Sequence, residues 1–140
     1  MCVFCNITQG IWDSKKVYED DEILAILDLS QQTYGHTLIM PKKHYDNLLD
    51  IPAELLKKIV AKAQDLANIY KTKLNATGFN LVNNCNEVAG QSVMHFHLHL
   101  IPRYDNDNSK LIFINNYDYS VKDANNEGKY DLDEILNKLK

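Results

Sequence analysis

The chain has 140 residues, 45% of them hydrophobic and 24% charged, which suits a single globular domain with a buried core. Fifteen Lys and Arg against 19 Asp and Glu leave a formal charge of −4, so no global positive field gathers nucleic acid or an anionic membrane. No apolar run approaches the roughly 20 residues of a membrane span. Three cysteines, an odd number, and no export-type leader in MCVFCNITQG lead to the expectation of a reducing, cytoplasmic setting.

Cys2-x-x-Cys5 comes first along the chain, at a chelate spacing common for zinc. A redox pair and two unrelated small buried residues are the alternatives, although a thioredoxin-like pair belongs at a strand-to-helix junction. Residues 17–28, VYEDDEILAILD, predict a turn at 19–22 feeding an apolar strand that ends at Asp28. HTLIMP (36–41) predicts a second strand, closed by Pro41, which has no N–H for a ladder. His44 follows in the loop PKKHYDN.

Residues 53–74, AELLKKIVAKAQDLANIYKTKL, predict the longest helix. Leu55, Leu56, Ile59, Val60, Ala63, Leu66, Ala67, Tyr70 and Leu74 recur at helical spacing with lysines between them. Asp50 and Pro52 are its start signals, and Asn75 and Gly78 its stop. Strand FNLVNN (79–84), loop NEVAG (86–90), a histidine-rich strand and a short terminal helix DLDEILNKLK complete the order. That order predicts an antiparallel α+β domain.

The densest chemical signal is GQSVMHFHLHLIPR (90–103). Strand side chains alternate between faces, so His95, His97 and His99 share one face and Met94, Phe96, Leu98 and Leu100 the other. The apolar face is expected on the helix and the imidazole face outside. Same-face neighbours stand roughly 6.5–7 Å apart, too far for three in a row to meet one ion without distortion. Cys2, Cys5, His44 and one of the three histidines would complete a closed Cys2His2 site, leaving another histidine for chemistry.

The run His95-Phe-His97-Leu-His99-Leu-Ile resembles the histidine-triad signature, three histidines separated by apolar residues. FCNI, YEDDEILAILDLS, GHTLIMPKKHYDNLLD and Asn84 ahead of GQSVMHFHLHLIPR resemble the same family in the same order, most of all its bacterial Hint-like branch. The resemblance covers roughly residues 2–103 of one expected 1–140 domain, and residues 104–140 diverge. It implies the histidine-triad fold, a sheet of about five antiparallel strands with one long helix and a short C-terminal one.

The resemblance also implies roles. His97 matches the nucleophile that attacks a nucleotide's α-phosphorus, and His99 the residue that contacts phosphate and assists the leaving group. Cys2, Cys5, His44 and His95 match the ligands of one structural zinc per chain. Asp28 matches the acid that binds ribose, and Phe4, Ile7 and Leu29 the apolar walls around the base. Asn84, Gly90, Gln91 and Ser92 match the phosphate-side loop, Gln91 and Ser92 also aiding catalysis, and His36 matches a histidine behind the triad.

The implied activity is hydrolysis of a purine nucleoside phosphoramidate through a nucleotidyl-histidine, by a homodimer. Transferases related to the family typically carry glutamine at the third position, so His99 favours hydrolysis. The alternatives are a dinucleoside polyphosphate hydrolase, a nucleotide-binding or adaptor protein with incidental catalysis, and a metallohydrolase whose triad holds catalytic zinc. Two departures stand out: IWDSKK (11–16) replaces the usual Ile-Pro-Ala turn, and a tail with Tyr104, Tyr117, Tyr119 and Tyr130 is the expected seat of leaving-group preference.

Overall fold

The computed structural model describes residues 2–105, 107 and 130–140. The elements are α1 (Val3–Thr8), β1 (Lys16–Glu19), β2 (Ile23–Leu27), β3 (Thr37–Pro41), α2 (Ala53–Lys73), β4 (Gly78–Val82), β5 (Leu98–Arg103) and α3 (Leu132–Lys138). The strands form one sheet in the order β1-β2-β3-β5-β4, antiparallel at every pairing. This is the expected α+β architecture of a five-stranded antiparallel sheet with one long helix and a short terminal one.

The turn at 19–22 is made by Asp20, whose Oδ1 accepts from Glu22 N and Ile23 N at 2.8 Å each. It joins β2 to β1, a strand that its half-buried KVYE pattern conceals in sequence. Every residue of β2 and β3 is buried, because both sheet faces are covered. Ile23, Ala25, Leu27 and Ile39 face a core shared with α2, and Leu24, Ile26, Leu38 and Met40 pack with Phe4 of α1 on the other side.

The α2 stripe is Leu55, Ile59, Ala63, Leu66 and Tyr70, at helical spacing. Val60, expected within it, is 44% exposed. Two terminus signals act differently from expectation. Pro52 caps α2 without a side-chain bond, while Asp50 accepts from the backbone of Asp46 and Asn47. Asn75, at φ 61°, turns the chain out of α2, and Gly78 instead opens β4.

Helix α3 is capped by Asp131, which accepts from Asp133 N and Glu134 N, and buries Ile135 in the α2-side core. Tyr104 and Tyr130 meet Tyr34 edge to face. Tyr117 and Tyr119 lie outside the described residues. No helix among the described residues is long and apolar enough to cross a membrane.

Ile59 is fully buried between α2 and the sheet. Ile59→Ala should therefore lower the free energy of unfolding by about 2–4 kcal/mol in urea titration; a loss below about 1 kcal/mol would place α2 off the sheet.

Candidate active site

The triad differs from expectation in two respects. Strand β5 begins at Leu98, so only His99 joins the ladder, opposite Leu38 on one side and Val82 on the other. His95 and His97 lie in the non-ladder segment before it. Alternation still governs the even positions from Phe96 onward: Phe96, Leu98 and Leu100 join the α2-side core, whereas Met94 is 40% exposed. Nor is the histidine face outside. His95, His97 and His99 are 0%, 4% and 1% exposed. Helix α1 packs on the first two, its Phe4 ring standing edge-on to His95 at 6.0 Å and to His97 at 4.9 Å.

Burial obliges each imidazole to find a donor or acceptor for its ring nitrogens. His97 Nδ1–H donates to the His95 carbonyl at 2.8 Å, which leaves the lone pair on Nε2. Gln32 N donates to His36 Nδ1 at 3.2 Å, so the His36 proton is on Nε2. That Nε2–H donates to His99 Nδ1 at 2.9 Å, which puts the His99 proton on Nε2. The two catalytic candidates therefore differ: His97 carries a lone pair on Nε2, and His99 carries a proton there. Their rings lie 5.0 Å apart.

The loop that carries His36 is held by Gln31, which sequence reasoning missed. Gln31 Nε2–H donates to the carbonyls of Asp28 and His36, and its Oε1 accepts from Gly35 N and His36 N. Gly35, at φ 93°, is in the left-handed region that favours glycine. Asp28 is buried, accepts from Ser30 N at 2.8 Å, and has Oδ2 3.5 Å from His36 Nε2. It also lines an apolar cavity of about 400 Å³ with Phe4, Ile7 and Leu29.

Asn83 was also missed; its Nδ2–H donates to the His97 carbonyl at 2.9 Å and so fixes the backbone behind the ring. Gln91 sits differently from the phosphate contact the resemblance implies. Its two amide hydrogens go to the carbonyls of Asp46 and Val93, and its Oε1 accepts from Asn86 N. Gln91 thus braces the 86–93 loop, with Gly90 turning it at φ 95°. Ser92 is exposed beside Cys2, His44 and Met94. Asn84 is half-buried just after β4.

Cys2, Cys5, His44 and His95 converge, their ligating atoms all within 4.8 Å of one another. Cys5 Sγ lies 3.2 Å from His44 Nδ1 and 3.5 Å from His95 Nδ1, and Cys2 Sγ lies 3.5 Å from His95 Nδ1. Zn–S bonds near 2.3 Å and Zn–N bonds near 2.0–2.1 Å in a tetrahedron give S–N edges of roughly 3.6 Å. The distal nitrogens are already engaged, His95 Nε2–H with the Pro41 carbonyl and His44 Nε2–H with Asp46, both at 2.7 Å. Each Nδ1 lone pair therefore faces the cysteines, the arrangement that metal-binding histidines use. Burial, then the neighbouring Cys2, pushes the Cys5 thiol up to about 11, a penalty that a cation would relieve.

A family model described as the HIT domain matches residues 9–106. A HIT-like protein of Methanocaldococcus jannaschii is 40% identical over 140 residues, spanning 100% of this chain and 99% of its own. An adenylylsulfatase of Arabidopsis thaliana is 39% identical over 106 residues, 76% of this chain and 54% of its own. The crystal structure of a Zn-bound histidine triad family protein from Mycobacterium smegmatis superposes with a TM-score of 0.81 at 35% identity, covering 99% of this chain and 89% of that one.

Burial holds the site histidines neutral. It lowers His97 to about 4 and His36 to about 3, and takes His99 well below the ordinary imidazole value, with neighbouring imidazoles adding to the effect. These pKa values are depressed, so the unfolded chain binds protons first as pH falls through about 6.5. Their stabilising contribution is complete above that pH and is lost as pH falls toward 4. The urea midpoint should decline steadily from pH 7 to 4.5, with a limiting slope of about 1.4 kcal/mol per pH unit for each histidine. A midpoint constant over that range would contradict neutral burial.

Proposed function

The chain belongs to the HIT family, a superfamily of nucleotide-binding hydrolases, and from that premise we propose that it hydrolyses a nucleoside monophosphate joined to a leaving group, a purine nucleoside phosphoramidate above all. The observation that carries the reading is the opposed protonation of His97 and His99. A neutral imidazole with its lone pair on Nε2 is a competent nucleophile near neutral pH.

His97 Nε2 attacks the α-phosphorus; a nitrogen–phosphorus bond forms to His97 and the bond to the leaving group breaks. The Nδ1–H that it keeps donates to the His95 carbonyl and holds the ring in line as positive charge develops. His99 presents Nε2–H as a hydrogen-bond donor to the phosphoryl oxygen or leaving atom, and being neutral it keeps that proton, so the leaving group takes one from solvent as it departs. Water then attacks the nucleotidyl-histidine and returns a proton to solvent, and His97 is restored. The net reaction consumes one water and yields the nucleoside monophosphate and the protonated leaving group. Asp28 accepts from the ribose hydroxyls, and Phe4, Ile7 and Leu29 enclose the base. The phosphate-side contacts fall to Asn84, Gly90 and Ser92 and to the backbone rather than the amide of Gln91.

Cys2, Cys5, His44 and His95 would hold one zinc, whose service when bound is structural, as a closed shell of four protein ligands. It would tie α1 and the loop after β3 to the triad. The exposed Val60 and Leu81 line a groove between α2 and the edge strand β4, which supports a homodimer formed on that face.

Reaction with phosphorus-labelled nucleoside phosphoramidate, quenched in alkaline denaturant that spares the acid-labile nitrogen–phosphorus bond, should leave label on His97. His97→Ala should lower turnover at least about 10³-fold with zinc content unchanged. Loss of zinc in that variant would favour a metallohydrolase, and absence of label across substrates would favour a binding protein. Replacing Cys2 and Cys5 together with Ser should empty the metal site and lower Tm by roughly 5 °C or more; an unchanged Tm would refute the structural assignment.

A further inference from the structure

Two residues of the cavity beside Asp28 have no part in the reading above. Trp12 and Asp13 line the same space of about 400 Å³ as Phe4, Ile7, Asp28 and Leu29, a volume within the roughly 300–1,000 Å³ of ligand pockets. They sit in the segment that departs from the family's usual turn. Their backbone is fixed: Ile11 N and Trp12 N both donate to the Asn6 carbonyl, at 2.8 and 3.0 Å, after a turn at Gly10 with φ 78°. The segment is thus tied to α1, the helix that supplies Phe4 and Ile7.

Both side chains lie at the surface. Trp12 is 49% exposed and Asp13 is exposed. Among the described residues, the Asp13 carboxylate has no hydrogen-bond or ion-pair partner, and the Trp12 ring no aromatic one. An exposed indole and an unpaired carboxylate on a cavity for an anionic ligand cost affinity unless part of that ligand suits both. Phe4 and Asp28 are the cavity residues that reach the histidines, Phe4 through His97 and Asp28 through His36. Those contacts give the cavity a side that faces the histidines, toward which the ribose and phosphate lie, and Trp12 and Asp13 join Phe4, Ile7 and Leu29 around the base.

We propose that Trp12 and Asp13 read the base and select guanine, an inference that rests on the nucleotide-hydrolase reading of this site. Trp12 stacks on the purine face, which any base tolerates. Asp13 discriminates. An ionised carboxylate only accepts hydrogen bonds. Guanine offers two adjacent donors, N1–H and the exocyclic N2–H, which match its two oxygens. Adenine offers N6–H beside the N1 lone pair, so one carboxylate oxygen faces another acceptor.

Trp12 is the only tryptophan of the chain, so its emission reports occupancy of the cavity directly. Titration of the full chain with GMP and AMP should quench that emission, with GMP bound roughly tenfold tighter or more. The same ratio should appear in kcat/KM for guanosine and adenosine phosphoramidates. Asp13→Asn, whose amide offers one donor and one acceptor, should bring the ratio to within about threefold. Trp12→Ala should weaken both nucleotides about tenfold by calorimetry while keeping the preference. Equal affinities in the native chain, or a preference that survives Asp13→Asn, would overturn the assignment of the base. Cleavage of both phosphoramidates without preference would overturn this inference alone. No binding and no cleavage of either would overturn the hydrolase reading, and this inference with it.

Discussion

A buried neutral imidazole has one donor and one acceptor, and each must find its complement. Four such rings, His36, His95, His97 and His99, are buried side by side, His95 and His97 against Phe4 of α1, and much of the surrounding structure exists to meet that demand. The Pro41 carbonyl takes the His95 proton, the His95 carbonyl takes the His97 proton, and Gln32 N supplies the His36 lone pair. The remaining donor of His36 goes to His99. Had any one tautomer been reversed, a donor would face a donor at His36 or His99, or a lone pair would face a carbonyl oxygen at His95 or His97, at a cost of about 1–3 kcal/mol for each group left unsatisfied. Which ring nitrogen carries the proton is thus set by the backbone, directly at the candidate nucleophile His97 and through His36 at His99.

This demand explains why the 28–36 loop is so heavily hydrogen-bonded. His36 is useful only if its ring is held where Nε2 meets His99. Gln31 provides that rigidity from one buried side chain, with all its bonds made to backbone atoms of the same loop. Asp28 at the head of the loop is thereby fixed as well. Its carboxylate lies 3.5 Å from His36 Nε2 without forming an ion pair, because burial keeps His36 uncharged near neutral pH and its one N–H goes to His99.

Period-two alternation made the division between Phe96, Leu98 and the three histidines legible, because the two faces of a strand meet different surroundings. Helical spacing made α2 legible for the same reason. What alternation does not encode is what lies above the polar face. The triad looks exposed in sequence because the helix that packs on it, α1, has six residues and is capped by a cysteine thiol rather than by a serine or aspartate. Likewise, Gln31 is one polar letter in SQQTYGH, and nothing local tells that its amide turns inward. Gln91 shows the converse. A position that matches a phosphate loop by sequence has its amide spent on three backbone groups, a property of the 86–93 turn that spacing cannot express.

His95 is where the two halves of the site join. Its ring faces Cys2, Cys5 and His44, and its carbonyl accepts the proton of His97. A side chain and a main-chain oxygen of one residue thus serve the metal-binding cluster and the candidate nucleophile. Because the His95 ring is held at both nitrogens, by the cysteine side and by Pro41, its peptide has little freedom to rotate. Asn83 clamps the next carbonyl but one, that of His97. The segment from 95 to 97 lies outside the ladder, so strand pairing cannot fix it, and these contacts do so instead. An irregular stretch just before β5 thereby acquires the rigidity that the proposed in-line attack would require, and the Cys2His2 cluster would act on that chemistry through one peptide group rather than through contact with substrate.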